Sequence, residues 1–150
     1  MLFRPFQAAD FAQLYTIEEL CFEPPFRFSR ALMRKLTQSS SHATWIAEED
    51  GAMTGFAIVD LKASVAPPTS YIQTLEVTPT QRGQGIGSEL LRRIENSARD
   101  SDADAIWLHV DTENNGAIRL YEAHGYTREG REEHFYARHR AAFVYSKPLA

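Results

Sequence analysis

Residues 81–91 read QRGQGIGSELL (Gln81–Leu91), with glycines at alternate positions (Gly83, Gly85, Gly87), Arg82 just before them and a helix-like run after. Glycine costs about 0.5–1 kcal/mol relative to alanine inside regular structure, so such a cluster marks a tight turn or a place where a ligand lies against bare backbone. The segment before it, YIQTLEV (Tyr71–Val77), alternates as a strand, and the segment after it carries Leu90, Leu91, Ile94 and Ala98 along one helical stripe. Strand, glycine-rich loop and helix in that order gather free N–H groups and the positive end of a helix dipole at one spot, which suits phosphate or pyrophosphate. Arg82 adds a charge. A nucleoside-triphosphate P-loop is excluded because Ser88-Glu89 stand where Lys and Ser/Thr are needed, and a dinucleotide fingerprint is excluded by the Gly-x-Gly-x-Gly spacing.

Working outward, Met1–Pro5 reads as a short first strand, and Asp10 as the N-cap of a helix carrying Phe11, Leu14, Tyr15, Ile17 and Leu20. FEPPF (Phe22–Phe26) ends that helix, because proline removes a donor and restricts its predecessor. Ser29 caps a second helix through Leu36. ATWIAEE and TGFAIVDL flank Asp50-Gly51 as a hairpin, and ASVAPPTS reads as a loop. AIWLHV is an apolar strand, Asn114 or Asn115 opens a helix that stops at Gly125, and EEHFYARHRAAFVYSKPL supplies two more strands. Helices interleaved with strands in one stretch of 150 residues predict a single mixed α/β domain spanning residues 1–150.

Composition bounds the function. A net charge of −4 argues against a nucleic-acid partner. No apolar run approaches the roughly 20 residues that cross a bilayer, so no membrane role is expected. The start lacks a signal peptide's features and Cys21 is the only cysteine, which points to the cytoplasm and a reducing compartment. His134 and His139 have no companion ligands at metal spacing, so no metal is expected.

Val77, Pro79, Arg82-Gly83-Gln84-Gly85-Ile86-Gly87 and Leu90-Leu91 resemble the acetyl-coenzyme-A-binding motif of the GNAT acetyltransferases, Gln/Arg-x-x-Gly-x-Gly/Ala. Downstream, Asn114, Ala117, Tyr121, Gly125 and Tyr126 match that superfamily's second signature, Asn-x-x-Ala-x-x-x-Tyr-x-x-x-Gly-Phe/Tyr. Within the superfamily the chain is similar to the ribosomal-protein-alanine (RimI-like) N-terminal acetyltransferases. The resemblance implies a central, mostly antiparallel twisted sheet with splayed strands and flanking helices. It also implies acetyl-coenzyme A as co-substrate, and direct attack by a primary amine.

On this resemblance the backbone of Arg82, Gly83, Gln84, Gly85, Ile86, Gly87 and Ser88 cradles the pyrophosphate. Leu75 and Val77, on the splayed strand, offer N–H groups to the pantetheine arm and the thioester oxygen, and Asn114 holds the pantetheine amides. Tyr121 is the acid for the departing thiolate, a phenol that stays protonated at neutral pH. For the base, the superfamily's Leu-Glu-Val is replaced by Leu108-His109-Val110. The histidine version goes with a tyrosine on the splayed strand, here Tyr71, the two acting through water. Glu76 competes as base, although strict alternation puts Tyr71, Gln73, Leu75 and Val77 on one face and Glu76 on the other, a count that a bulge would reset. Phe22, Pro24 and Phe26 on one side and Phe135 and Tyr136 on the other would flank the acceptor, while Arg131, Glu132, Glu133 and His134 read as a solvated strand edge. The implied acceptor is a protein or peptide N-terminal α-amine; a small amine such as a polyamine, an amino acid or an antibiotic is the alternative, as is a noncatalytic module that only binds coenzyme A. The chain is expected to act as a monomer or homodimer.

Overall fold

The computed structural model describes residues 1–149. Its strands are β1 (Leu2–Pro5), β2 (His42–Glu49), β3 (Ala52–Val65), β4 (Pro68–Val77), β5 (Ala105–Asp111), β6 (Thr127–Ala137) and β7 (Arg140–Pro148). They form one seven-stranded sheet in the order β1-β2-β3-β4-β5-β7-β6. Only β4 and β5 run parallel; every other neighbouring pair is antiparallel. The crossover between them is helix α3 (Ile86–Asp100), the connection that parallel neighbours require. The remaining helices are α1 (Phe11–Cys21), α2 (Arg30–Gln38) and α4 (Asn115–Ala123).

β3 reads as a nearly continuous apolar run because both of its faces are covered. Phe56 and Ile58 meet Leu14, Ile17, Met33 and Leu36 from α1 and α2. Ala57 and Val59 belong to the opposite cluster, with Leu90, Leu91 and Ile94 of α3 and Ile118 and Tyr121 of α4. The β2–β3 hairpin forms at Asp50-Gly51, whose φ angles of 52° and 80° are those of the turn that matches strand twist. Ser29 Oγ accepts the N–H of Leu32 and caps α2, and Asn114 Oδ1 accepts the N–H of Ala117 and caps α4. Among the described residues, no helix is long and apolar enough to cross a membrane.

Three local expectations are corrected. Asp10 stands at the N-cap position of α1, but its side chain does not cap the helix; it closes a short 3-10 turn over Ala8–Asp10, accepting the Gln7 N–H at 2.7 Å and a bidentate pair from Arg4 at 2.8 and 2.9 Å. A buried carboxylate is better satisfied by a guanidinium than by one more N–H. ASVAPPTS is not a loop, because β3 runs on to Val65 and β4 begins at Pro68, so the stretch is the end of a long hairpin. Nor does strict alternation hold along β4. Ile58 pairs with Thr74 and Val59 with Ile72, which leaves Gln73 as an extra residue. This bulge resets the count. Thr74 and Glu76 follow Ile58 and Phe56 onto the α1 face, the face of Tyr71, while Leu75 follows Ala57 onto the α3 face.

Candidate active site

β4 and β5 are paired only at Thr69–Ala105, Ser70–Ile106 and Tyr71–Trp107. Beyond that point each strand stays bonded to its outer neighbour, β4 to β3 as far as Val77 and β5 to β7 as far as Asp111. The two strands therefore part, and the backbone groups facing the gap have no sheet partner.

At one end is a groove of about 810 Å³. Leu75, Val77, Arg82, Gly83, Gly85, Ile86, Gly87 and Ser88 line it on the β4–α3 side, with Asn114 and Tyr121 across from them; Gln84 is not among its walls. Gly83 and Gly85 have φ of 81° and 84°, the left-handed region that other residues enter at a cost. Gly85 is the N-cap of α3 and has no side chain to cap it, so the first N–H groups of the helix stay open to the groove. Gly87 is different: a Cβ there would meet Leu120 and Leu75 at 3.5 and 3.6 Å, ordinary contact. Arg82 folds back, its Nε donating to the Val77 carbonyl at 3.0 Å. Ser88 Oγ and His124 Nε2 stand 3.0 Å apart. Cys21, between Arg82 and the Val77 carbonyl, also faces the groove, and burial pushes its thiol up to about 11.

At the other end is a smaller cavity of about 100 Å³. Tyr121, Phe22 and Phe26 line both spaces, so Tyr121 sits where they join. Its ring is buried, and burial holds its phenol well above the ordinary value, so it remains a proton donor. His109 lines the smaller cavity, and its Nδ1 is 2.8 Å from the Tyr71 hydroxyl. Tyr71 itself lines neither space, and burial pushes its phenol up to about 12. Phe135 lies flat on the imidazole at 3.9 Å and lines neither space itself. Glu132, expected on a solvated edge, places Oε1 3.1 Å from His109 Nε2. That contact lacks hydrogen-bond alignment and is a charge neighbour only. Phe26 and Tyr136 meet at 4.8 Å and close the side wall. Pro24 is exposed and lines neither space.

Two carboxyls stand on the α1 face of the gap. Glu76 is 3% exposed and Glu18 1%. Thr74 donates to Glu76 Oε2 at 2.6 Å, and the Phe28 N–H donates to Glu18 Oε2 at 2.9 Å. Burial, reinforced by the neighbouring Glu18, raises the Glu76 carboxyl well above the usual range. Glu18 escaped the sequence reading, although it stands four residues after Leu14, on the apolar stripe where an acid is out of place. Asp111 escaped it too; it lines both spaces and takes two hydrogen bonds from Arg140, at 3.2 and 2.9 Å. Arg140 in turn lies over the Phe26 ring at 5.0 Å, tying the β6–β7 hairpin to the α1–α2 loop. Among the described residues, no group of three or more His, Cys, Asp or Glu is placed to hold a metal.

With this geometry in view, comparisons with known proteins converge. Residues 11–126 match the family described as the acetyltransferase (GNAT) family. The N-alpha-acetyltransferase RimI of Mycobacterium tuberculosis is 32% identical over 115 residues, covering 75% of this chain and 66% of the relative. Streptothricin acetyltransferase of Streptomyces lavendulae is 37% identical over 87 residues, 58% of this chain and 45% of the relative. The chain thus spans less than two thirds of the length of either. The crystal structure of Arabidopsis thaliana NAA60 in complex with a bisubstrate analogue superposes with a TM-score of 0.85 over 98% of this chain and 97% of that one, at 24% identity, and shares the fold.

Proposed function

From the premise that this chain belongs to the acetyltransferase (GNAT) family, we propose that it moves the acetyl group of acetyl-coenzyme A onto a primary amine, the α-amine of a protein or peptide N-terminus, by direct attack. The observation that carries this is the parting of β4 from β5 after Tyr71 and Trp107, flanked by two spaces that share Tyr121 as a wall, one against the glycine loop and one against His109.

The residues present fit the co-substrate. Left-handed Gly83 and Gly85 and the uncapped start of α3 offer N–H groups to a pyrophosphate, and the unpaired β4 backbone near Leu75 and Val77 can polarise a thioester oxygen. His109, which lines the smaller cavity and whose Nδ1 is hydrogen-bonded to the Tyr71 hydroxyl, takes a proton from the attacking nitrogen through water. Tyr121, held protonated by burial, gives its proton to the departing sulfur. Cys21, a thiol at neutral pH with its pKa near 11, is a poor acyl carrier, which supports direct attack. Phe22, Phe26 and Tyr136 form the wall against which the acceptor's first residue would rest. We take residues 1–150 as one catalytic domain, monomeric or homodimeric, working in the cytoplasm.

The α-amine is supported by the N-alpha-acetyltransferase relative. A second reading, a small-molecule amine as acceptor, is favoured by the likeness to streptothricin acetyltransferase. Coenzyme A release, measured across peptides differing in their first two residues and across polyamines, amino acids and antibiotic amines, separates them. Turnover confined to peptides is expected. Turnover confined to small amines sinks the first reading, and coenzyme A binding with no turnover sinks both.

A further inference from the structure

The proposed reaction takes two protons from the acceptor nitrogen, and the Tyr71–His109 pair accounts for one. An α-amine has an ordinary pKa of about 7.7–8.0, so at pH 7 roughly nine in ten molecules arrive as ammonium. The first proton must leave before the lone pair exists, and the second leaves once the C–N bond has formed. A second acceptor is therefore needed near the same nitrogen.

Glu18 and Glu76 have the placement for it. Glu18 lines the smaller cavity with His109 and Tyr121, and Glu76 lines the larger groove, so the pair bridges the two spaces. Each carboxyl has one oxygen satisfied, by the Phe28 N–H and the Thr74 hydroxyl respectively. Each has its other oxygen, Oε1, buried with no donor from the rest of the protein. Ionising two neighbouring buried carboxyls with open oxygens is unfavourable. Arg82 is the cation facing Glu76, Cys21 is the nearest thiol, and Asp111, already held by Arg140, is the next carboxylate along the gap.

Resting on the transferase reading above, we propose that Glu18 and Glu76 form a proton-sharing pair that removes the ammonium proton of the incoming acceptor. The free pair holds one proton between two carboxyls and carries one negative charge. R–NH3⁺ transfers one proton to it, leaving R–NH2 and two neutral carboxyls. The nitrogen lone pair attacks the thioester carbon, the C–S bond breaks with its electron pair on sulfur, and Tyr121 protonates the sulfur. The second nitrogen proton passes through water to His109, which Tyr71 holds at Nδ1. Of the two stored protons, one refills Tyr121 and one goes to solvent, so each turnover releases a single proton.

The test is the double variant Glu18→Gln with Glu76→Gln, near-isosteric and without titratable oxygens. With a peptide acceptor, kcat/KM should fall roughly tenfold at pH 7, the fraction of acceptor that is free amine, and should return toward the wild-type value above pH ~9. An acceptor of lower amine pKa should shrink the loss at pH 7. A loss equal at every pH, or no loss at pH 7, overturns the proposal. A readout that needs no turnover is the infrared difference spectrum of the wild-type protein against the double variant at pH 7. One buried protonated-carboxyl band is expected in the wild type and none in the variant, and its absence from the wild type overturns the proposal even if the variant misfolds. If the wild type shows the band but no acceptor is acetylated, the transferase reading has failed rather than the carboxyl pair.

Discussion

The two ends of the β4–β5 gap are built from different material. The proposed cofactor end draws mostly on one run, Leu75 to Ser88, with α4 from Asn114 to Tyr121 across from it. The acceptor end is made of side chains that converge from α1, the α1–α2 loop, β4, β5, α4 and β6: Glu18, Phe26, Gln73, His109, Tyr121 and Tyr136. A contiguous backbone site depends on φ angles and on the start of a helix, so its chemistry is fixed by local sequence. A convergent site depends on strand register and on which faces the helices cover, and one bulge changes its membership. The difference also says which substitutions should act on binding of one substrate and which on the other.

Tyr121 stands at the junction and should give the largest effect. Removing its hydroxyl in Tyr121→Phe deletes the proposed acid but leaves the buried ring in place. A fall in kcat of about 10²–10⁴ is expected, with acetyl-coenzyme A affinity by calorimetry unchanged. Unchanged turnover would take the acid role from Tyr121 and erase the junction.

On the cofactor side, Gly85→Ala places a Cβ at φ of 84°, a left-handed conformation that costs about 1–2 kcal/mol. Acetyl-coenzyme A affinity should drop by about 5–30-fold, while the acceptor KM stays put. Gly87→Ala is its control: the position is not left-handed and the added methyl makes only ordinary contacts, so affinity should barely move. Equal losses in both variants would mean that the third glycine is kept for ligand approach rather than for the chain.

This asymmetry matches what the sequence made legible. Several boundaries that rest on a local signal were readable: the Asp50-Gly51 turn, the Ser29 cap, an asparagine at 114 or 115 opening α4, and the left-handed Gly125 after it. The parting of the sheet and the approach of Tyr71 to His109 were expected from the family resemblance, not from spacing. What stayed hidden depended on distant partners. Asp10 has a cap's identity but turns to Arg4 on β1, and nothing near Asp10 announces that guanidinium. The Gln73 bulge carries no glycine or proline to mark it, so strict alternation separates Glu76 from Tyr71 and hides its meeting with Glu18. Glu132 looked like one acid in a charged run, yet β6 brings it and Phe135 over His109.

On the acceptor side, Tyr136→Ala removes the partner of Phe26 and opens the side wall. Aromatic pairs of this kind contribute about 0.5–1.5 kcal/mol beyond their area, so the acceptor KM should rise roughly three- to tenfold. The acetyl-coenzyme A KM, measured at saturating acceptor, should not follow. If both constants rise together, the two ends are not independent, and the Arg140 link between the hairpin and the α1–α2 loop is the first place to look.

The smallest effect tests whether the division is local at all. Asp10 touches neither space, but it fastens β1 to the turn that leads into α1 through Arg4. Asp10→Asn keeps the shape and loses the charge, and a stability loss of about 1–2 kcal/mol is expected at pH 7, read by denaturant unfolding. Arg4 and the Gln7 N–H hold the folded Asp10 carboxyl below its ordinary value, so more protons bind this group in the unfolded chain than in the folded one. Its contribution is therefore complete above the unfolded pKa of about 3.9 and fades as the pH falls through the lower folded value. The gap between wild type and variant should thus be constant from neutrality down to about pH 5 and close only in stronger acid. Neither KM should change at pH 7. A shift in the acceptor KM alone would mean that α1, which carries Glu18, is positioned by its entry turn, and would extend the acceptor end of the site as far as β1.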